Sequence, residues 1–97
     1  MEALEVVWST RAIGQRFLVS EWYKEQLGEI ASVHFNNDVN STVDALSSMP
    51  TIGTPSPKFS TSRHQYYTIP IHKKYIIIYR FTQKRLYILA IRSTLMM

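Results

Sequence analysis

Three prolines and one glycine in the eight residues from Pro50 to Pro57 divide this chain into two parts with different hydrophobic periods. Proline lacks the N–H that a helix interior or a central strand requires, and its ring fixes φ. Helical structure therefore ends near Met49, and an extended, turn-rich loop runs to about Ser62. Ahead of the loop, Ala31, Phe35, Val39, Val43 and Leu46 recur at spacings of three and four, with Ile30 and Met49 near the ends. Ser32, Asn36, Asn37, Asn40, Ser41, Asp44 and Ser47 take the other side, which predicts an amphipathic helix lying on a core by one stripe. Its Asn, Ser and β-branched content lowers intrinsic helicity, so packing must hold it.

An earlier helix is predicted from about Thr10 to Leu27. Ser9 stands as its N-cap, and a broad apolar face comprises Ala12, Ile13, Phe17, Val19, Trp22, Tyr23 and Leu27. Gly14 weakens this helix modestly, and Gly28 stands where a left-handed C-terminal cap is wanted. A connection that short makes the two helices an antiparallel hairpin. Leu4 to Trp8, before them, has strand composition.

Beyond the loop the period changes. Arg63 to Ile69, Lys74 to Phe81 and Arg85 to Arg92 are rich in Tyr, Ile and Phe, with short connectors at Pro70–Lys73 and Thr82–Lys84. They predict an antiparallel meander. Tyr75 to Tyr79 is apolar at every position and reads as a central strand covered on both faces. The order strand, helix, helix, loop and three strands gives an α+β fold, with the helical hairpin packed on one sheet face.

Ninety-seven residues, 45% apolar and 19% charged, suffice for one domain, 1–97, with one core. The net charge of +4 favours an acidic partner: nucleic acid, ribosome or an acidic protein segment. There is no cysteine, and His34, His64 and His72 fit no ligand spacing, so neither a metal nor a small-molecule cofactor is expected. The N-terminus, with Glu2 and Glu5 and no long apolar region, does not read as a signal peptide. The longest apolar run is far short of the roughly 20 residues that span a bilayer, so no membrane role is expected and the location is expected to be cytoplasmic.

Four landmarks carry a resemblance. Val7-Trp8-Ser9-Thr10-Arg11-Ala12 is an apolar strand running into a serine-capped helix. Leu46-Ser47-Ser48-Met49-Pro50-Thr51-Ile52-Gly53 has the form L-x-x-x-P-x-x-G, Tyr75 to Arg80 the form Y-x-I-x-Y-R, and Leu86 to Thr94 that of a last strand entering a tail. In this order the chain resembles the RelE/ParE toxin superfamily of type II toxin–antitoxin systems, nearer to its ParE-like members. The resemblance implies a short open sheet, a growth-inhibiting activity and a cognate antitoxin protein that wraps the toxin. ParE-like members inhibit DNA gyrase; RelE-like members cut mRNA in the ribosome.

A nuclease of this kind needs cations on phosphate and a group to move the 2′-hydroxyl proton. The resemblance places Arg80, at the strand arginine, first for phosphate contact, with Arg63 and Arg92 beside it. Lys74 joins these three as a target-binding residue, and Lys58, Lys73, Lys84 and Arg85 extend a basic surface. His64 is the candidate acid or base; a strand-edge or solvated role is the simpler reading for each of these. Tyr66, Tyr67, Tyr75, Tyr79 and Tyr87 offer faces for base stacking, or pack across strands. The tail Ser93-Thr94-Leu95-Met96-Met97 departs from relatives that end in D-T-R or carry His or Tyr, with Leu95 standing where the arginine would be. That departure tilts the expectation toward gyrase inhibition, with the mRNA endonuclease as alternative. An attenuated toxin fold that only binds its antitoxin comes third.

Overall fold

A computed structural model describes residues 2–72 and 74–94. Its elements are β1 (Glu5–Trp8), α1 (Thr10–Leu27), α2 (Glu29–Ser48), a 3-10 turn at Pro50–Ile52, β2 (Thr54–Pro55), β3 (Tyr67–Ile71), β4 (Tyr75–Phe81) and β5 (Arg85–Ser93). The strands form one sheet in the order β1-β5-β4-β3-β2. The meander β3-β4-β5 is antiparallel as expected, whereas β1 joins β5 in parallel, from Glu5 opposite Arg85 to Trp8 opposite Ile88. The sheet is therefore mixed, because the helical hairpin returns the chain to the side from which β1 left.

Both helices begin and end where the sequence places them, within a residue. Ser9 Oγ accepts the Ala12 N–H at 3.0 Å, and Gly28, at φ 96°, ends α1 and starts α2 without a spacer. The 3.6-residue stripe of α2 is the helical half of the core, with Phe35, Val39, Val43 and Leu46 buried against Ile77, Tyr79, Leu86, Ile88 and Ile91 of the sheet. The broad apolar face expected of α1 is a different matter. Only Ala12 and Tyr23 are buried there, and Ile13, Phe17, Trp22 and Leu27 are exposed.

The reason lies between the helices. Arg16 Nε donates to Asn36 Oδ1 at 2.9 Å and its Nη2 to Asn40 Oδ1 at 2.8 Å, while Asn36 Nδ2 donates to Ser20 Oγ at 2.8 Å. Ser20 and Ser32 share a further hydroxyl bond of 2.8 Å. The hairpin is thus joined by a polar seam, and Ser32 and Asn36 face α1 rather than solvent. Partial burial lowers the Arg16 pKa from its usual value.

The proline loop is structured by the sheet. Tyr79, fully buried, donates its hydroxyl to the Pro50 carbonyl at 2.7 Å and accepts the Gly53 N–H at 3.0 Å. A Cβ on Gly53 would overlap Tyr79 Oη and stand 2.8 Å from the Thr68 carbonyl oxygen, so this position excludes a side chain. The loop then folds back, and Phe59 and Tyr66 pack on Ile76, Ile78 and Ala90 of the sheet's outer face. That cover makes β4 buried on both sides, as its composition predicts. Among the described residues, no helix is long and apolar enough to cross a membrane.

Candidate target-binding face and partner groove

Strand alternation decides which expected site residues meet. Tyr75, Ile77, Tyr79 and Phe81 of β4 belong to the helix-facing core, so Ile76, Ile78 and Arg80 point outward. On β5, Tyr87 opposes Arg80 and Arg92 opposes Ile76. Arg80 and Arg92 therefore share the outer face, four residues or about 13 Å apart along β4. Each lies over an aromatic ring. The Arg80 guanidinium is 4.1 Å from the Tyr87 centroid and that of Arg92 is 5.7 Å from Phe59, which Lys58 also approaches at 5.5 Å.

Arg85 completes the Arg80 end. The neighbouring Tyr87 hydroxyl and Glu5, whose carboxylate accepts from Arg85 Nε at 3.1 Å, raise its pKa above the usual value. Tyr87 thus stands between two guanidinium groups. Lys74 is exposed in the turn before β4, beyond the Arg92 end of the same face, and its carbonyl accepts the Thr94 N–H.

Arg63 and His64 are displaced from their expected place. The first meander strand begins at Tyr67, so both lie in the preceding loop, exposed, with their N–H groups bonded to Thr61 Oγ1. The His64 ring stacks on Tyr66 at 6.2 Å and 10°. The five tyrosines divide in the same way: Tyr67, Tyr75 and Tyr79 pack on the helix side, whereas Tyr66 and Tyr87 face out. Lys73 and the tail residues Leu95 to Met97 lie outside the described residues. Among the described residues no group of three acidic or histidine side chains is placed to hold a metal ion.

A second feature lies at the β5 edge. A bulge between Ile78 and Tyr79 of β4 leaves Leu89 of β5 without an opposite residue, and beyond Ile88 no β1 residue pairs with β5. The cap of α1 and a side chain of its first turns take over there, Ser9 Oγ donating to the Leu89 carbonyl at 2.9 Å and Gln15 Oε1 accepting the Ile91 N–H at 2.8 Å. Above this junction runs an open groove of about 860 Å³, bordered by Arg11, Gln15 and Leu18 of α1 and by Phe59, Tyr66 and Arg92. It continues into the exposed flank of α1, where Ile13, Phe17, Leu18 and Trp22 are 56%, 61%, 68% and 48% exposed. Gly14 lies within this flank, and a Cβ there would meet no atom within 4 Å.

One signal in the sequence bears directly on the outer face. All seven carboxylates fall in residues 1–44, which carry only three of the eleven Lys and Arg. The remaining eight cations lie in residues 45–97, the stretch that builds β2 to β5, without a single carboxylate. Charge is thus segregated between the helical and sheet parts of the molecule. Phe59, by contrast, is a loop aromatic that no periodicity singles out.

A helical hairpin behind a mixed five-stranded sheet is the architecture of solved ParE and YoeB structures. The family model described as "ParE toxin of type II toxin-antitoxin system, parDE" matches residues 6–97, and the chain belongs to that family. Its partner is accordingly an antitoxin of the ParD kind. Among solved structures, it is similar to one titled "Chromosomal ParDE TA system from P. aeruginosa", with a TM-score of 0.76 and 16% identity over 94% of this chain and 96% of that one. It also resembles the YoeB/ParE toxin from Agrobacterium tumefaciens, with TM-score 0.59 and 15% identity over 93% and 98% of the chains. The third is a YoeB dimer from Staphylococcus aureus, with TM-score 0.60 and 15% identity over 92% and 94%. Identities this low carry the fold alone. No curated protein sequence matches the chain.

Proposed function

We propose that the free chain arrests bacterial growth by inhibiting DNA gyrase, and that an antitoxin silences it by laying an amphipathic segment along α1 and its groove. The observation that carries the reading is the agreement of residues 6–97 with the ParE family. The partner site rests on the exposed stripe Ile13, Phe17, Leu18 and Trp22, an apolar surface on a helix that folding leaves uncovered. Gly14 at its centre gives an incoming helix room to approach closely.

The basic outer face supports one alternative, a ribosome-dependent mRNA endonuclease in which Arg80 and Arg92 hold phosphate, joined by Arg63, with His64 the weakest member of the set. Induced expression without antitoxin separates these readings. Growth arrest with lost supercoiling and intact messages supports gyrase inhibition. Rapid loss of ribosome-associated mRNA, abolished by Arg80→Ala, supports the nuclease. Unimpaired growth overturns both and leaves a fold that only binds its antitoxin.

A further inference from the structure

We propose that His72 and Asp38 form a strained clasp, a conformational device that fixes the C-terminal end of β5 and has a released state in which that end opens while the rest of the fold stands. Neither the basic outer face nor the exposed flank of α1 includes this pair. Among the described residues, His72 is the one non-glycine residue with positive φ, at 37°. A Cβ in the left-handed region crowds the backbone, so such a residue persists only where its surroundings hold it.

Two kinds of contact hold His72. Its Nδ1 lies 2.6 Å from Asp38 Oδ2 of α2, a contact that requires the ring proton on Nδ1. Its ring stands edge-to-face against Tyr23 of α1 at 5.1 Å and 84°, and against Phe35 of α2 at 6.1 Å and 88°. Tyr23 and Phe35 are stacked on each other at 5.5 Å, and both are buried. The rings are therefore a fixed wall, whereas Asp38, with its side chain 51% exposed, is the half that can let go. A position shaped by its own backbone preference would carry glycine or asparagine. Histidine makes the same shape conditional on a carboxylate from another element.

The clasp carries the end of the sheet. The His72 carbonyl accepts the Tyr75 N–H at 3.3 Å, where β4 begins. The Lys74 carbonyl accepts two bonds from Thr94, from its N–H at 2.8 Å and from Oγ1 at 3.3 Å. Tyr75 and Ser93 form the last ladder pair between β4 and β5, and β1 gives no support there because its pairing stops at Ile88. The end of β5 thus depends on the first residues of β4, and these depend on His72. Tyr75, Arg92 and Ser93 also border the groove beside α1, so the clasp fixes that stretch of its wall.

The test is amide hydrogen exchange, followed by NMR on the purified full chain. Tyr75 and Thr94 report the clasp; Ser9 and Gly53, whose N–H groups are bonded to Ile88 and Tyr79, report the remaining fold. Asp38→Asn is nearly isosteric and lies at an exposed position, so the variant folds. It should speed exchange at Tyr75 and Thr94 about tenfold and leave Ser9 and Gly53 within about twofold of wild type. His72→Ala loses the pair but keeps the backbone crowding, and should speed the same two amides at least as much. His72→Gly loses pair and crowding together, and should hold both amides within about threefold of wild type. Adding Asp38→Asn to His72→Gly should change nothing further.

Better protection in His72→Gly than in His72→Ala is the signature of strain held by a clasp, since a side chain that merely fills space is missed at least as much in the glycine variant. Equal exchange in these two variants makes His72 a packing residue and overturns the proposal. So does exchange at Tyr75 and Thr94 that Asp38→Asn leaves unaltered. Acceleration in Asp38→Asn that spreads equally to Ser9 and Gly53 overturns it as well, because the pair then supports the whole fold rather than one end of β5.

Discussion

A single hydroxyl ties both Pro50 and Gly53 to the sheet, and two side-chain choices depend on it. Tyr79 satisfies both the Pro50 carbonyl and the Gly53 N–H. Tyr79→Phe removes one partner from each, and should cost about 1–3 kcal/mol in urea unfolding, the range for an unmade buried hydrogen bond. Gly53→Ala forces a methyl group against Tyr79 Oη and the Thr68 carbonyl, and should cost about 1–3 kcal/mol by the same measurement. Burial also raises the Tyr79 phenol above its ordinary value, outweighing the lowering effect of the Gly53 N–H, and burial likewise raises Tyr23. The unfolded chain therefore ionises first. The stabilisation is intact below about pH 10 and is lost as pH climbs through the folded-state value. The urea midpoint should fall above pH 10 in the wild type and less steeply in the Tyr79→Phe, Tyr23→Phe double variant. The two motifs that the sequence displays separately, P-x-x-G and Y-x-I-x-Y-R, thus meet at one hydrogen-bonded contact. Their spacing along the chain discloses the landmarks but not the bond, because Gly53 and Tyr79 are 26 residues apart.

Elements reveal where periodicity is a sufficient guide and where it is not. The stripe of α2 is legible because each member, from Phe35 to Leu46, faces the core. Hydrophobicity alone misplaces α1, since its apolar residues divide between a narrow buried line, Ala12 and Tyr23, and an exposed flank. A polar seam to α2 takes the direction between them, and apolar content cannot distinguish a core face from a partner face. Arg63 and His64 are misplaced for another local reason. Ser60 and Thr61 hydroxyls bond the chain into a turn through Tyr66, so the strand starts only at Tyr67. Gly14 makes the α1 argument measurable. Nothing inside the chain needs a glycine there, and glycine in a helix interior costs about 0.8–1 kcal/mol relative to alanine. Gly14→Ala should therefore raise the stability of the free chain by about 0.5–1 kcal/mol. If a partner helix crosses at this point, the same variant should weaken antitoxin binding in calorimetry. Unchanged affinity would move the docking site off this flank.

At the scale of the whole molecule, the proposed partner surface and the proposed target surface lie on different parts of the fold. The exposed stripe belongs to α1, on the helical layer, whereas Arg80, Tyr87 and Arg85 lie on the opposite, outer face of the sheet. The groove beside Arg92 and Phe59 reaches from one toward the other. Sites that share no contact residues act on free energy nearly independently, so their variants should separate neutralisation from toxicity. Phe17→Asp with Leu18→Asp places charge on exposed positions and should leave folding close to wild type. It should remain toxic on induction and resist rescue by co-expressed antitoxin. Arg80→Glu should lose toxicity yet still be captured by the same antitoxin with wild-type affinity. Growth curves with and without antitoxin, beside a pull-down of each variant, read both effects in one experiment. Variants of either kind that lost toxicity and antitoxin binding together would mean that one surface serves both, which the Arg92 end of the groove is positioned to do.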